Sequence, residues 1–113
     1  MRYIPTDPPR TFEAGYEYKR TISDCGKIHL EADELVTFVT KNGGEYDVTR
    51  KSWGFYATPS TNARLVSFGL HACIARNREG RLFILLVEKG KEDDFDTYMT
   101  QERMSIVHWL DTL

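Results

Sequence analysis

Asn77-Arg78-Glu79-Gly80-Arg81-Leu82-Phe83-Ile84-Leu85-Leu86-Val87-Glu88 is the stretch on which the fold class turns. Leu82 to Val87 is the longest apolar run in the chain, far short of the ~18 residues a membrane span needs, and reads as a buried strand. Phe83, Leu85 and Val87 leave one face and Leu82, Ile84 and Leu86 the other, so both faces are apolar and the pattern predicts a central strand covered on both sides. The four-residue connection before it ends in Gly80, which suits positive φ, and predicts a hairpin with the run Phe68 to Arg76.

Downstream, Phe95, Tyr98 and Met99 stand at i, i+3, i+4, and Glu92, Asp93 and Asp94 suit the positive end of a helix dipole. A short amphipathic helix is expected over 91–102, with a last strand from Met104 to Leu110. The separation between Glu88 and Met104 permits a βαβ crossover, which takes about a dozen residues or more.

Upstream, Asn42-Gly43-Gly44 joins two β-prone runs, Glu34 to Thr40 and Glu45 to Arg50, as a hairpin. Trp53, Phe55 and Ala57 share a face of a further strand that Pro59 ends, and if the two aromatics enter the core, Tyr56 is left beside the Ser60–Arg64 loop. Alternation over Tyr16 to Ile22 predicts a strand, Ser23-Asp24-Cys25-Gly26 a turn, and Lys27 to Glu31 another strand. Pro5, Pro8 and Pro9 make residues 1–15 an expected irregular N-terminal arm, leaving 16–113 as a single domain. The fold class is α+β and mostly antiparallel. Six to eight strands form a strongly curved sheet or small β-barrel or roll, with one short C-terminal helix before the last strand.

Composition narrows the function classes. With 113 residues, 15 Lys+Arg against 17 Asp+Glu and 41% hydrophobic residues, the chain is a single globular domain without the basic excess that nucleic acid or an anionic membrane would attract. The opening segment has no apolar stretch of the secretory kind, and Cys25 and Cys73 lack CxxC spacing, so both are read as reduced thiols of a cytoplasmic protein. The chain contains no GxGxxG, P-loop, HExxH, GxSxG or EF-hand pattern, and neither a cofactor nor a metal is expected.

Three groups of residues carry chemistry. His71 and Cys73 at i, i+2 share a strand face, where packing competes with thiol or metal chemistry. His108 shares a face with Met104, Ile106 and Leu110, as a hydrogen-bonded core or interface histidine would. The segment from Arg50 to Arg64 gathers aromatics, hydroxyls, an amide and three cations, the mix that recognises sugars, carboxylates and phosphates. The candidate ligand-binding residues are Arg50, Tyr56, Ser60, Asn62, Arg64 and His71.

These observations point to a small non-catalytic domain that binds a small polar or anionic ligand or a protein partner. Two other readings stay open. One is a small enzyme on an anionic or sugar-like substrate, with His71 as acid/base, Arg64 holding charge and Cys73 or Tyr56 assisting. The other is a homodimer subunit joined through Trp109, Leu110 and Leu113 and the Tyr16–Ile22 edge.

Overall fold

A computed structural model describes residues 1–112; Leu113 lies outside them. In chain order the elements are β1 (Arg2–Ala14), β2 (Arg20–His29), β3 (Leu35–Val39), β4 (Glu45–Lys51), β5 (Gly54–Ala57), α1 (Arg64–Ser67), β6 (Leu70–Arg76), β7 (Leu82–Glu88), α2 (Glu92–Glu102) and β8 (Ser105–Trp109). Every strand pairing is antiparallel. The strands form three small sheets, β1-β2, β3-β4-β5 and β7-β6-β8, and close no barrel among the described residues.

Both hairpins signalled by glycine form. Asn77 accepts from the backbone N–H groups of Glu79 and Arg81 through its side-chain oxygen, at 3.0 and 2.9 Å, and this fixes the β6–β7 connection. The helix before the last strand also forms. Its first turn carries Glu92, Asp93 and Asp94, and it ends at Arg103, which adopts a left-handed conformation (φ 54°). β8 then pairs with β6 rather than β7, so β7 and β8 run parallel with β6 between them and α2 crosses over it.

The N-terminal residues are not an irregular arm. β1 pairs with β2 over nearly its whole length, from Arg2↔His29 to Ala14↔Arg20. Prolines remove ladder donors only where a donor is needed, and β1 is an edge strand. The register shifts between Pro5↔Gly26 and Arg10↔Asp24, so Pro8 and Pro9 fall inside the bulge. The expected turn at Ser23–Gly26 lies opposite that bulge within a continuous strand. Its local chemistry is present, since Asp24 accepts the Gly26 N–H at 3.2 Å, but it serves a bulge instead of a reversal. The reversal is at Gly15–Lys19, with Gly15 at φ +123°.

The hairpin tip is pinned to the end of α2. The Tyr16 N–H donates to both carboxylate oxygens of Glu102 at 3.2 Å, Arg20 donates to Gln101 at 2.7 Å, and the Arg78 guanidinium sits 3.6 Å from the Tyr16 ring centroid. Glu102→Ala is expected to cost about 1–2 kcal/mol, because a charged acceptor leaves a half-buried amide. Amide exchange should speed up at Tyr16 and stay unchanged in β6; equal speeding at both would mean that the tip does not open separately.

The central strand is β6, not β7. Ala72, Cys73 and Ala75 are buried, and their small side chains admit neighbours closely on both faces of the sheet. On one face Leu70 and Ala72 pack with Leu65 of α1, Tyr46 and Leu110; on the other, Cys73 and Ala75 pack with Met99 and Phe95 of α2, Leu85, Met104 and Trp109. β7 is an edge strand, and its Leu82, Ile84 and Leu86 are exposed. Trp53 and Phe55 do not enter the core either: they are 70% and 64% exposed at the outer end of a sheet whose packed residue is Tyr46. His108 is exposed opposite Ile74.

The consequence is an open molecule. A monomer of 13.1 kDa ordinarily exposes about 6,400 Å², whereas this chain exposes 8093 Å². Its radius of gyration is 15.6 Å against about 13 Å for a compact chain of this length.

Candidate functional site

The structure does not gather the six candidate residues into one site; only Ser60 and Arg64 are hydrogen-bonded to each other. Arg50, on β4, turns its guanidinium back to the Lys51 carbonyl. Tyr56 projects from β5 and is exposed, as is Asn62 in the following loop. Ser60 accepts the Arg64 backbone N–H on its hydroxyl at 3.0 Å, which satisfies a donor at the start of α1.

Arg64 donates to Asp47 of β4 at 3.3 Å and lies 5.2 Å from the Phe68 ring centroid. Asp47 also accepts from the Thr37 hydroxyl at 2.7 Å, so the guanidinium belongs to a surface network that ties α1 to the β3-β4-β5 sheet. With its side chain half-exposed, Arg64→Ala is expected to change stability by less than about 1 kcal/mol in urea melts; a larger loss would make it a structural anchor.

His71 lies elsewhere, on the α2-covered face of β6 that it shares with Cys73. Its ring stacks on Trp109 of β8 with centroids 4.2 Å apart and planes at 12°. Nδ1 is 4.0 Å from one carboxylate oxygen of Asp111, whose other oxygen, Oδ1, is buried without a hydrogen-bond partner among the described residues. The three side chains meet beside a cleft of about 90 Å³ lined by Val66, Gly69, Leu70, His71, Lys89, Glu92 and Asp111. Arg64 is not among its lining residues. At 4.0 Å the carboxylate is beyond hydrogen-bond reach of the imidazole, and the cleft is far below the ~300–1,000 Å³ of small-molecule sites.

The sequence reading assigns Trp109 and Leu110 to a dimer contact, whereas both pack against the core clusters of the chain, and Trp109 and Asp111 reach His71 only through the β6–β8 pairing, Cys73↔Trp109. The i, i+2 spacing did place His71 on the face where the stack forms.

Cys73 is fully buried, and desolvation pushes its thiol above the ordinary range, which removes the thiolate that nucleophilic chemistry requires. Cys25 is exposed, and both thiols are free. Thiol reagent on the native protein should therefore label Cys25 promptly and Cys73 only on unfolding; rapid labelling of two thiols would show that the β6 face is open. Burial raises the Tyr46 hydroxyl in the same way. For both groups the native state holds the proton more tightly, so their contribution to stability is complete below the ordinary thiol and phenol ranges and falls as pH rises through them.

Among the described residues, no group of three or more His, Cys, Asp and Glu side chains is placed to hold a metal ion, and no helix is long and apolar enough to cross a membrane. The most extensive chemical feature is apolar. Tyr3 opposes Ile28 and Phe12 opposes Ile22 on one face of the β1-β2 ribbon, and all four are exposed. The Arg10↔Asp24 ion pair lies between those two pairs on the same face, and the other face carries Arg2↔His29, Ile4↔Lys27, Thr11↔Ser23 and Glu13↔Thr21, so the ribbon mixes charged and exposed apolar side chains. A two-stranded ribbon is marginal without a surface to pack on. Compared with known proteins, the chain matches no family model, no curated protein and no solved structure.

Proposed function

We propose that this chain is a non-catalytic protein-binding domain that works as a subunit of an assembly in a reducing, cytoplasmic setting. The observation that carries this reading is the surface excess of about 1,700 Å² over a monomer of the same mass, which exceeds the ~800 Å² that one partner contributes to a standard interface. The exposed side chains include Tyr3, Phe12, Phe38, Trp53, Phe55 and Ile84. Aromatics are the residues enriched at interfaces. Free thiols at Cys25 and Cys73 suit the compartment.

A small polar or anionic ligand remains the other half of the proposal. Its anchors are separate: Tyr56 exposed on β5, Asn62 exposed in the loop after it, and His71 in its own cleft. The protein partner is favoured because surface area, and not a cavity, is what this fold offers.

Scattering and dye binding test the reading together. Either a mass above 13.1 kDa or a monomer that binds an apolar dye strongly is expected. A dye-silent monomer with a radius of gyration near ~13 Å would mean that the three sheets close on one another as a roll, and would overturn it.

A further inference from the structure

We propose that two copies of this chain join along the free edge of β7, antiparallel across a two-fold axis, into one six-stranded sheet. This rests on the assembly reading and names its partner as a second copy.

The backbone defines the edge. The Lys89 N–H donates to the Gly69 carbonyl and the Asn77 N–H to the Arg81 carbonyl, both at 2.9 Å, and these two bonds bracket the β6–β7 ladder. In an antiparallel ladder the direction of the N–H and C=O groups alternates along each strand. Residues 83, 85 and 87 therefore face β6, while Leu82, Ile84, Leu86 and Glu88 turn their N–H and C=O groups outward. β7 ends the sheet, and Leu82 and Ile84 are 58% and 57% exposed.

Edge strands are normally blunted by charge, proline or a bulge. Between Leu82 and Val87 β7 has no charge and no proline, and it pairs with β6 without a register shift. At the opposite edge, the β6–β8 pairing does shift between Ile74 and Ala75, one of those blunting devices. The sheet is thus built to extend on one side and stop on the other, which closes the assembly at two copies.

The strand pattern also selects a register. A two-fold axis normal to the sheet preserves the face each side chain occupies, so residues opposite each other must share a face. With Ile84 on the axis, Leu82 meets the partner's Leu86 and Phe83 meets the partner's Leu85. With Leu85 on the axis, Arg81 would instead meet the partner's Lys89, pairing like charges. The Ile84 register has no like-charge pair and extends the exposed face of Leu82, Ile84 and Leu86 into the partner. The β7 contact would take up part of the excess of about 1,700 Å² that the whole chain exposes, a total above the ~800 Å² each partner supplies to a standard interface.

The test combines light scattering with residue-resolved amide exchange on the full chain. The wild type is expected at twice 13.1 kDa, with the amides of Leu82, Ile84 and Leu86 protected like those of Phe83 and Leu85. Ile84→Lys sets two ammonium groups side by side at the axis and should raise the dissociation constant by at least about 100-fold, leaving a folded monomer with exchanging edge amides. Leu82→Lys serves as the second variant if Ile84→Lys misfolds, and Phe38→Lys on β3 should leave the dimer intact. A wild-type dimer that survives both β7 substitutions, or fast exchange at Ile84 in the wild type, overturns the β7 assignment and leaves the assembly reading standing. A wild-type monomer at every concentration overturns pairing with a second copy, and its dye binding then decides separately whether another protein covers the surface.

Discussion

Leu65→Ala is expected to destabilise the chain by about 2–5 kcal/mol, the cost of removing a buried leucine and leaving a cavity that relaxes only in part. Leu65 is 1% exposed, and it is the side chain through which α1 covers Leu70 and Ala72 of β6, with Tyr46 and Leu110 closing the cluster. The buried residues of this chain are few, so the loss is a large share of a stability that is ordinarily only about 5–15 kcal/mol. Leu85→Ala, in the longest apolar run, should cost less, about 1–2 kcal/mol, because Leu85 is half-buried on an edge strand. Urea melts of the two variants settle the order. An equal or larger loss at Leu85 would mean that β7 is covered on both faces in solution.

Gly26→Ala is expected to cost about 3 kcal/mol or more and to open the β1-β2 ribbon. Gly26 has φ +139°, and a Cβ there would run into the Ile4 carbonyl and come within 2.8 Å of Pro5 Cα, both backbone groups of the paired strand. Neither can yield without breaking the register across the bulge. Gly90→Ala is the control: its φ is +91° but nothing lies within 4 Å of the added carbon, so only the left-handed conformation is penalised, by about 1–2 kcal/mol. Amide exchange should rise at Tyr3 and Ile4 and at Lys27 and Ile28 in the first variant and not in the second. Equal effects would show that backbone conformation alone, and not contact across the ribbon, sets the cost.

The candidate site was legible only in pieces. The strand face shared by His71 and Cys73 followed from their spacing, and the loop character of Ser60 to Arg64 from Pro59 and its hydroxyls. That Arg64 would be taken up by Asp47, or that Trp109 and Asp111 would flank His71, depends on which strands pair. Pairing partners lie far apart in the chain, and nothing local in these segments records them.

Local chemistry and periodicity, read from the residues alone, determined the hairpins at Asn42-Gly43-Gly44 and Asn77–Gly80, the helix over Glu92–Glu102, the strand after it and the mostly antiparallel class. Each of these rests on groups within a few residues of one another. Tertiary structure alone decided that β6 and not β7 is central, that Pro5, Pro8 and Pro9 ride in a bulged edge strand, and that Trp53 and Phe55 face water. Hydrophobicity says that a side chain gains from burial, but it does not say what covers it. In this chain the small side chains of Ala72, Cys73 and Ala75 admit neighbours on both faces of β6, whereas the large ones of Leu82, Ile84 and Leu86 are left at an open edge.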